Sequence, residues 1–218
     1  LVVVELDDRQ RRQLTAAGIP FVFVDAAREQ PPEVPVVGSA NRSGGLVATR
    51  HLVELGHRDL AVISGPERLP CSRARVEGFR GALAAAGLSA APDHVRYGEF
   101  RATSGYRHGL ELLDRPDRPT AIFAGSDYQA LGVMRAAHEL DLSVPRDLSV
   151  VGYDDLSINE WSGPPLTTVR QPLRDMGAVA ARMAITLAGG RRPPHPRIDL
   201  DTELVVRQST APPGSRAR

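Results

Sequence analysis

Residues Pro119-Thr120-Ala121-Ile122-Phe123-Ala124-Gly125-Ser126-Asp127-Tyr128-Gln129-Ala130-Leu131-Gly132 hold an apolar run that ends in small polar residues and passes directly into an amphipathic pattern. The apolar run reads as a buried strand at 120–124 and the 3.6-residue pattern behind it as a helix at 127–140. A strand at 148–152 comes next, so this stretch is one strand–helix–strand unit. The rhythm continues in both directions. Upstream lie strands at 1–6, 21–24, 59–63 and 94–97 and helices at 10–17, 43–55, 73–86 and 103–113. Downstream lie a short helix near 156–161, a longer one at 173–188 and a last strand near 198–206. Short apolar strands alternating with amphipathic helices predict α/β architecture with doubly wound parallel sheets buried on both faces.

Gly56, Gly87 and Gly189-Gly190 stand where three of these helices should stop. Pro31 to Pro35 and Arg191 to Pro196 read as loops, and the tail from Ala211 as disordered.

The 218 residues carry a formal charge of +1, with basic residues spread along the chain. This gives no electrostatic footprint for nucleic acid, so DNA binding is expected to reside elsewhere. All 27 basic residues are arginine. Schiff-base chemistry and phosphate-loop chemistry, which need a lysine, therefore lack their central group. Cys71 is the single cysteine, which excludes an intramolecular disulfide and a cysteine-based zinc site and suits a reducing compartment. No apolar run is long enough to span a bilayer, and the N-terminus lacks a signal-peptide pattern.

In open parallel sheets ligands bind beyond the carboxyl ends of the strands. The residues there are Asp25, Cys71, Arg73, Arg75, Phe100, Ser126, Asp127, Asp154 and Asp155. Carboxylates, an arginine and an aromatic at one sheet end suit a polyhydroxylated ligand. Taken singly, Asp127 and one of Asp154 or Asp155 read as helix caps, Phe100 as loop packing and Cys71 as inert packing. Arg73 and Arg75 stand two apart on one helix, so at most one points into the cleft. Enzyme signatures for hydrolases, dehydrogenases and zinc proteases are missing, and no catalytic residue, metal site or cofactor is expected. The strongest enzymatic alternative is a magnesium-dependent phosphotransferase built on Asp154 and Asp155.

Seven ordered motifs resemble the LacI/GalR family of regulators. They are His51-Leu52-Val53-Glu54-Leu55-Gly56-His57-Arg58; Ile63-Ser64-Gly65-Pro66; Arg73-x-Arg75-x-x-Gly78-Phe79; Gly98-Glu99-Phe100 with Ser104-Gly105-Tyr106; and Pro119 to Phe123 with Ser126-Asp127 and Ala130-Leu131-Gly132. The last two are Val144 to Asp155 and Pro164-Pro165-Leu166-Thr167-Thr168-Val169-Arg170-Gln171-Pro172.

The resemblance implies a type I periplasmic-binding-protein-like fold of two lobes joined by crossings near 39–41, 169–171 and 197–200. The N-terminal lobe would comprise 1–39 plus 171–197 and be incomplete. The C-terminal lobe would comprise 41–169 plus 198–210, with 211–218 a disordered tail. It also implies a cytoplasmic homodimer that senses a sugar-like effector. Operator DNA would be bound by a headpiece absent from this chain. Carried over residue by residue, Asp25, Cys71, Arg75, Phe100, Ser126, Asp154 and Gln171 become the effector contacts, with Leu69 at a position that varies with ligand. Ser39-Ala40 departs from the family's usual Asp-Asn. A solute-binding protein of a sugar transporter is the alternative with the same clamshell.

Overall fold

The computed structural model describes residues 1–2 and 6–214. Its folding logic is clearest in the strands that alternate their residues between two helical layers. In β3 (Leu60–Ser64), β5 (Ala121–Ala124) and β6 (Ser149–Asp154), Ala61, Ile63, Ile122, Ala124 and Val150 face one apolar cluster. Leu60, Val62, Ala121, Phe123, Val151 and Tyr153 face another. Side chains alternate across a strand, so a run that is apolar at every position must be covered on both sides. The first layer is α4 (Ala102–Leu113) with α5 (Asp127–Glu139); the second is α2 (Asn41–Glu54) with α3 (Pro70–Ala85).

Two sheets result. The larger runs β4-β3-β5-β6-β7-β9, with β4 Val95–Tyr97, β7 Thr167–Arg170 and β9 Glu203–Val205. All pairings are parallel except β7 with β9. The smaller is parallel β1-β2-β8, from Phe23–Val24, Val36–Ser39 and Arg197–Leu200. Val22, Val37, Met176, Ala180 and Met183 form its core beneath α6 (Leu173–Ala188). Helix α1 (Asp8–Ala16) opens with a reciprocal cap in which Asp7 accepts from the Gln10 backbone and the Gln10 side chain accepts from that of Asp7.

Each helix pair is drawn together by glycines facing backbone. A Cβ on Gly78 would lie 2.1 Å from the Arg42 carbonyl oxygen, and one on Gly45 2.2 Å from that of Arg75. Gly105 and Gly132 stand in the same relation to Gln129 and Ala102 across α4 and α5, each at 2.1 Å. Backbone cannot yield as a flexible side chain can, so Gly78→Ala should separate α2 from α3 and cost about 2–3 kcal/mol, as overpacking does. The midpoint of urea unfolding checks this.

The α/β, parallel-sheet reading is thus observed, with several local corrections. Val36–Ser39 forms the middle strand of the smaller sheet although its Pro35 and Gly38 gave no strand signal. Thr167–Arg170, expected as the approach to a crossing, is a strand between β6 and β9. The single strand expected near 198–206 is two, because residues 197–200 pair with β2 and 203–205 pair with β7. Residues 198–200 thus pair in the smaller sheet, and the chain passes to the larger sheet across 201–202. The expected strand at 1–6 lies partly outside the described residues; Val2 bridges Phe23.

The tail is ordered for several residues beyond 210. His57, 1% exposed, places Nδ1 2.9 Å from Thr120 Oγ1 and Nε2 2.9 Å from the Ala211 carbonyl oxygen. Ser149 Oγ donates to the same carbonyl and accepts from the Ala211 N–H. His57 and Ser149 together pin Ala211 to the sheet, and burial holds the His57 pKa below the ordinary histidine value. Residues 215–218 of the expected tail lie outside the described residues.

Candidate functional site

The carboxyl ends of both sheets face a common region, and Arg75 stands at its centre. The residue lies in the second turn of α3, 3% exposed. Nε donates to Asn41 Oδ1 at 2.9 Å, and Nη1 donates to the Gly125 carbonyl at the end of β5. The guanidinium carbon sits 3.7 Å from the Tyr153 ring centroid and 5.3 Å from that of Phe100. Helix α3 can approach this closely because Gly45 lets α2 contact the Arg75 backbone. Phe100 in turn rests on Gly65, where any side chain would meet the ring at 2.2 Å.

Acids from both sheets surround this cation. Asp25 follows β1 of the smaller sheet and Asp154 ends β6 of the larger, and both have positive φ, at 49° and 120°. Non-glycine residues hold such conformations only where their surroundings impose them, and they cluster at functional sites. Burial raises the Asp25 pKa against the lowering field of Arg75, with Asp199 as a further repulsive charge. Burial likewise pushes Asp154 up to about 6, opposed by Arg75 and by the hydrogen bond from Gln171.

Asp154 Oδ1 accepts from Gln171 Nε2 at 2.7 Å, and Gln171 Oε1 accepts from Ser39 Oγ at 2.7 Å. Ser39 ends β2, so this relay ties the smaller sheet to the larger through a crossing residue. The serine found where the family usually has an acid is therefore bonded into the junction.

Asp154 also sets a pH dependence whose sign is fixed. Its folded-state pKa lies above the ordinary 3.8, so its stabilising contribution is complete below about pH 4 and lost as pH rises through about 6. Asp154→Asn removes that loss. The variant should gain on the wild type by about 2–3 kcal/mol between pH 4 and pH 7, since one pKa unit is about 1.4 kcal/mol. Urea unfolding of both proteins across this range checks it; a constant difference would refute the assignment.

A cleft of about 400 Å³ opens beside this cluster, lined by Asp25, Cys71, Ser39, Asn41, Arg42 and Asp199 among others. Cys71 is half-buried, and burial raises its thiol pKa, which keeps it protonated and a poor nucleophile. Arg75, Phe100, Asp154 and Gln171 are not among the residues lining this cleft.

Ser126 is placed otherwise. It is buried as the N-cap of α5, where Oγ accepts from the Gln129 N–H at 3.2 Å. It neighbours the Gly125 carbonyl that holds Arg75, but its side chain is engaged in the cap. Asp127, read as a cap, is instead a fully buried node. Its oxygens accept from Thr168 Oγ1, the Leu156 N–H and Asn159 Nδ2 at 2.5, 2.7 and 2.7 Å.

Asp155 accepts from Arg170 and Arg207, each at 2.7 Å, and Asp154 from Gln171. The two acids of the expected magnesium pair are thus engaged with separate partners. Arg73 donates to the carbonyls of Glu67 and Arg68 near the surface, leaving Arg75 as the inward arginine of the pair. The sequence reading missed Asn41, Tyr153 and Asp199. Tyr153 immediately precedes Asp154 in an apolar strand, which disguises it as core.

The family of periplasmic binding protein-like domains matches residues 49–210. The HTH-type transcriptional regulator CelR of Thermobifida fusca is 38% identical over 210 residues, 96% of this chain and 62% of that protein. A solved CelR–cellobiose complex superposes with a TM-score of 0.87 at 37% identity, covering 96% of this chain and 64% of that one. A LacI family transcriptional regulator from Mycobacterium smegmatis gives 0.83 at 34% identity, over 95% of this chain and 76% of that one. The lac repressor dimer bound to operator and an anti-inducer gives 0.81 at 32%, over 94% and 71%. The chain spans about three fifths of the length of the curated relative CelR.

Proposed function

Because the chain belongs to the LacI family of transcriptional regulators, with their periplasmic binding protein-like effector domains, we propose that it is the sensing and dimerising core of a regulator whose effector is a sugar. The observation that carries this reading is the convergence on Arg75 of acids from two separate sheets. A buried guanidinium offers a planar fork of donors, the carboxylates accept paired hydroxyl hydrogen bonds, and Phe100 supplies an aromatic face beside them. The proposed contacts are Asp25 and Cys71 on the cleft lining and, once the two sheets close on the ligand, Arg75, Phe100, Asp154 and Gln171; Ser126 acts only through the backbone it caps. The CelR–cellobiose complex supports a carbohydrate as the ligand class, and the cleft volume lies within the range of small-molecule sites.

In this mechanism the ligand favours one arrangement of the two sheets because it is held by both. Only that difference in affinity between arrangements can transmit a signal. The Ser39–Gln171–Asp154 relay crosses the junction and would be remade as the sheets rotate. A homodimer, as in the lac repressor complex, would convert the rotation into a change in headpiece spacing on operator DNA in the cytoplasm. The chain itself acts as a binding domain and not as an enzyme. Thermal-shift screening with cellobiose, maltose, ribose and nucleobases tests this. A ligand at about 100 times its Kd should raise Tm by roughly 5–10 °C. No shift with any sugar, or a shift with nucleobases alone, would overturn the sugar assignment.

A further inference from the structure

Tyr153 is fully buried, yet it belongs as much to the site as to the core. One face of its ring carries the Arg75 guanidinium at 3.7 Å, and Phe123 lies against it with ring centroids 6.4 Å apart. The space it fills exists because residue 44 is glycine. A Cβ there would stand 2.4 Å from the Tyr153 hydroxyl and 2.7 and 2.9 Å from two of its ring carbons. Gly44 lies inside α2 and is not among the glycines with positive φ. Room for the ring, and not backbone conformation, is what the glycine provides.

The hydrogen bonds of Arg75 leave its orientation incomplete. They run from Nε to Asn41 and from Nη1 to Gly125, along N–H bonds that lie in the guanidinium plane. Neither resists tilting of that plane as well as an aromatic face beneath it, where a desolvated cation gains strongly from the ring quadrupole. We infer that Tyr153 is a positioning residue of the effector site: its ring, seated in the space left by Gly44, is the platform that sets the plane in which Arg75 meets the ligand. This deepens the reading of the cleft as a sugar site, and its affinity arm rests on that reading.

The test has one arm without ligand and one with it. In the ligand-free protein, the Arg75 Nε–H NMR signal, identified by its loss in Arg75→Gln, should lie upfield from the ring current. It should stay there in Tyr153→Phe and move downfield in Tyr153→Leu. Gly44→Ala, whose Cβ would meet the hydroxyl end of the ring and displace it, should also move it and carries the arm if Tyr153→Leu fails to fold. For cellobiose, or whichever panel sugar binds the wild type, affinity should fall on the order of 10-fold in Tyr153→Leu and less than about threefold in Tyr153→Phe. An Arg75 signal unmoved by both Tyr153→Leu and Gly44→Ala would overturn the inference, as would equal losses of affinity in the Phe and Leu variants. If no sugar binds, the reading of the cleft fails on its own while the NMR arm still decides the role of Tyr153.

Discussion

Arg75→Ala is expected to lower effector affinity by more than about 100-fold while the protein keeps its fold. Hydrogen bonds to a charged group contribute about 1.5–3 kcal/mol each, so two ligand contacts made by the remaining N–H groups of Nη1 and Nη2 would already exceed a factor of 100. The loss goes beyond those contacts. Arg75 is the cation whose field lowers the pKa of Asp25 and of Asp154 against burial. Without it both acids move further towards the protonated form, and a protonated carboxyl has lost much of its power to accept from a hydroxyl. That same shift towards the protonated form lessens the buried charge left without its partner, which spares the fold. Arg75→Lys should fare little better. One ammonium cannot reach Asn41 and the Gly125 carbonyl at once in the fork geometry seen here. Circular dichroism that matches the wild type, together with a lost calorimetric signal, is the expected pair of results.

Asp127→Ala is expected to act on stability instead, with a loss of about 3–5 kcal/mol. Asp127 is fully buried and gathers three donors: Thr168 on β7, and the Leu156 N–H and Asn159 side chain around the 3-10 turn Ser157–Glu160. Each stranded buried donor costs about 1–3 kcal/mol. Asp127→Asn should recover only part of this, because its amide end offers donors where the protein already supplies them. Thermal unfolding of the two variants should rank them wild type, Asn, Ala. Equal stability of Ala and wild type would show that the node does not hold the loop after β6.

The contrast between Arg75 and Asp127 marks how far the sequence could be read. Periodicity sufficed for the larger sheet because its strands are apolar at every position, and Leu60 to Ser64 is buried throughout. It missed Val36–Ser39 and read the stretch near 198–206 as one strand instead of two, because those strands are short and half-polar and nothing local marks a chain that changes sheets. Position after a strand singled out Asp25, Arg75 and Asp154, which lie near one another because α/β topology brings strand ends together. It could not separate Asp127, which looks like a cap and serves as a buried node, from Asp154, whose φ of 120° aims it elsewhere. That difference depends on Thr168 and Asn159, some 41 and 32 residues away in sequence. Tyr153 and Asn41 were invisible for the same reason. Ser126 was carried over by position, and its hydroxyl is engaged in capping α5.

The most direct measurement is a calorimetric titration of the wild-type chain and of Arg75→Ala, side by side at pH 7.5, with the sugar that gives the largest thermal shift. Saturable binding at one site per chain in the wild type and none in the variant is the expected result. Equal affinity in the two proteins would contradict the claim that the two sheets meet their ligand at Arg75.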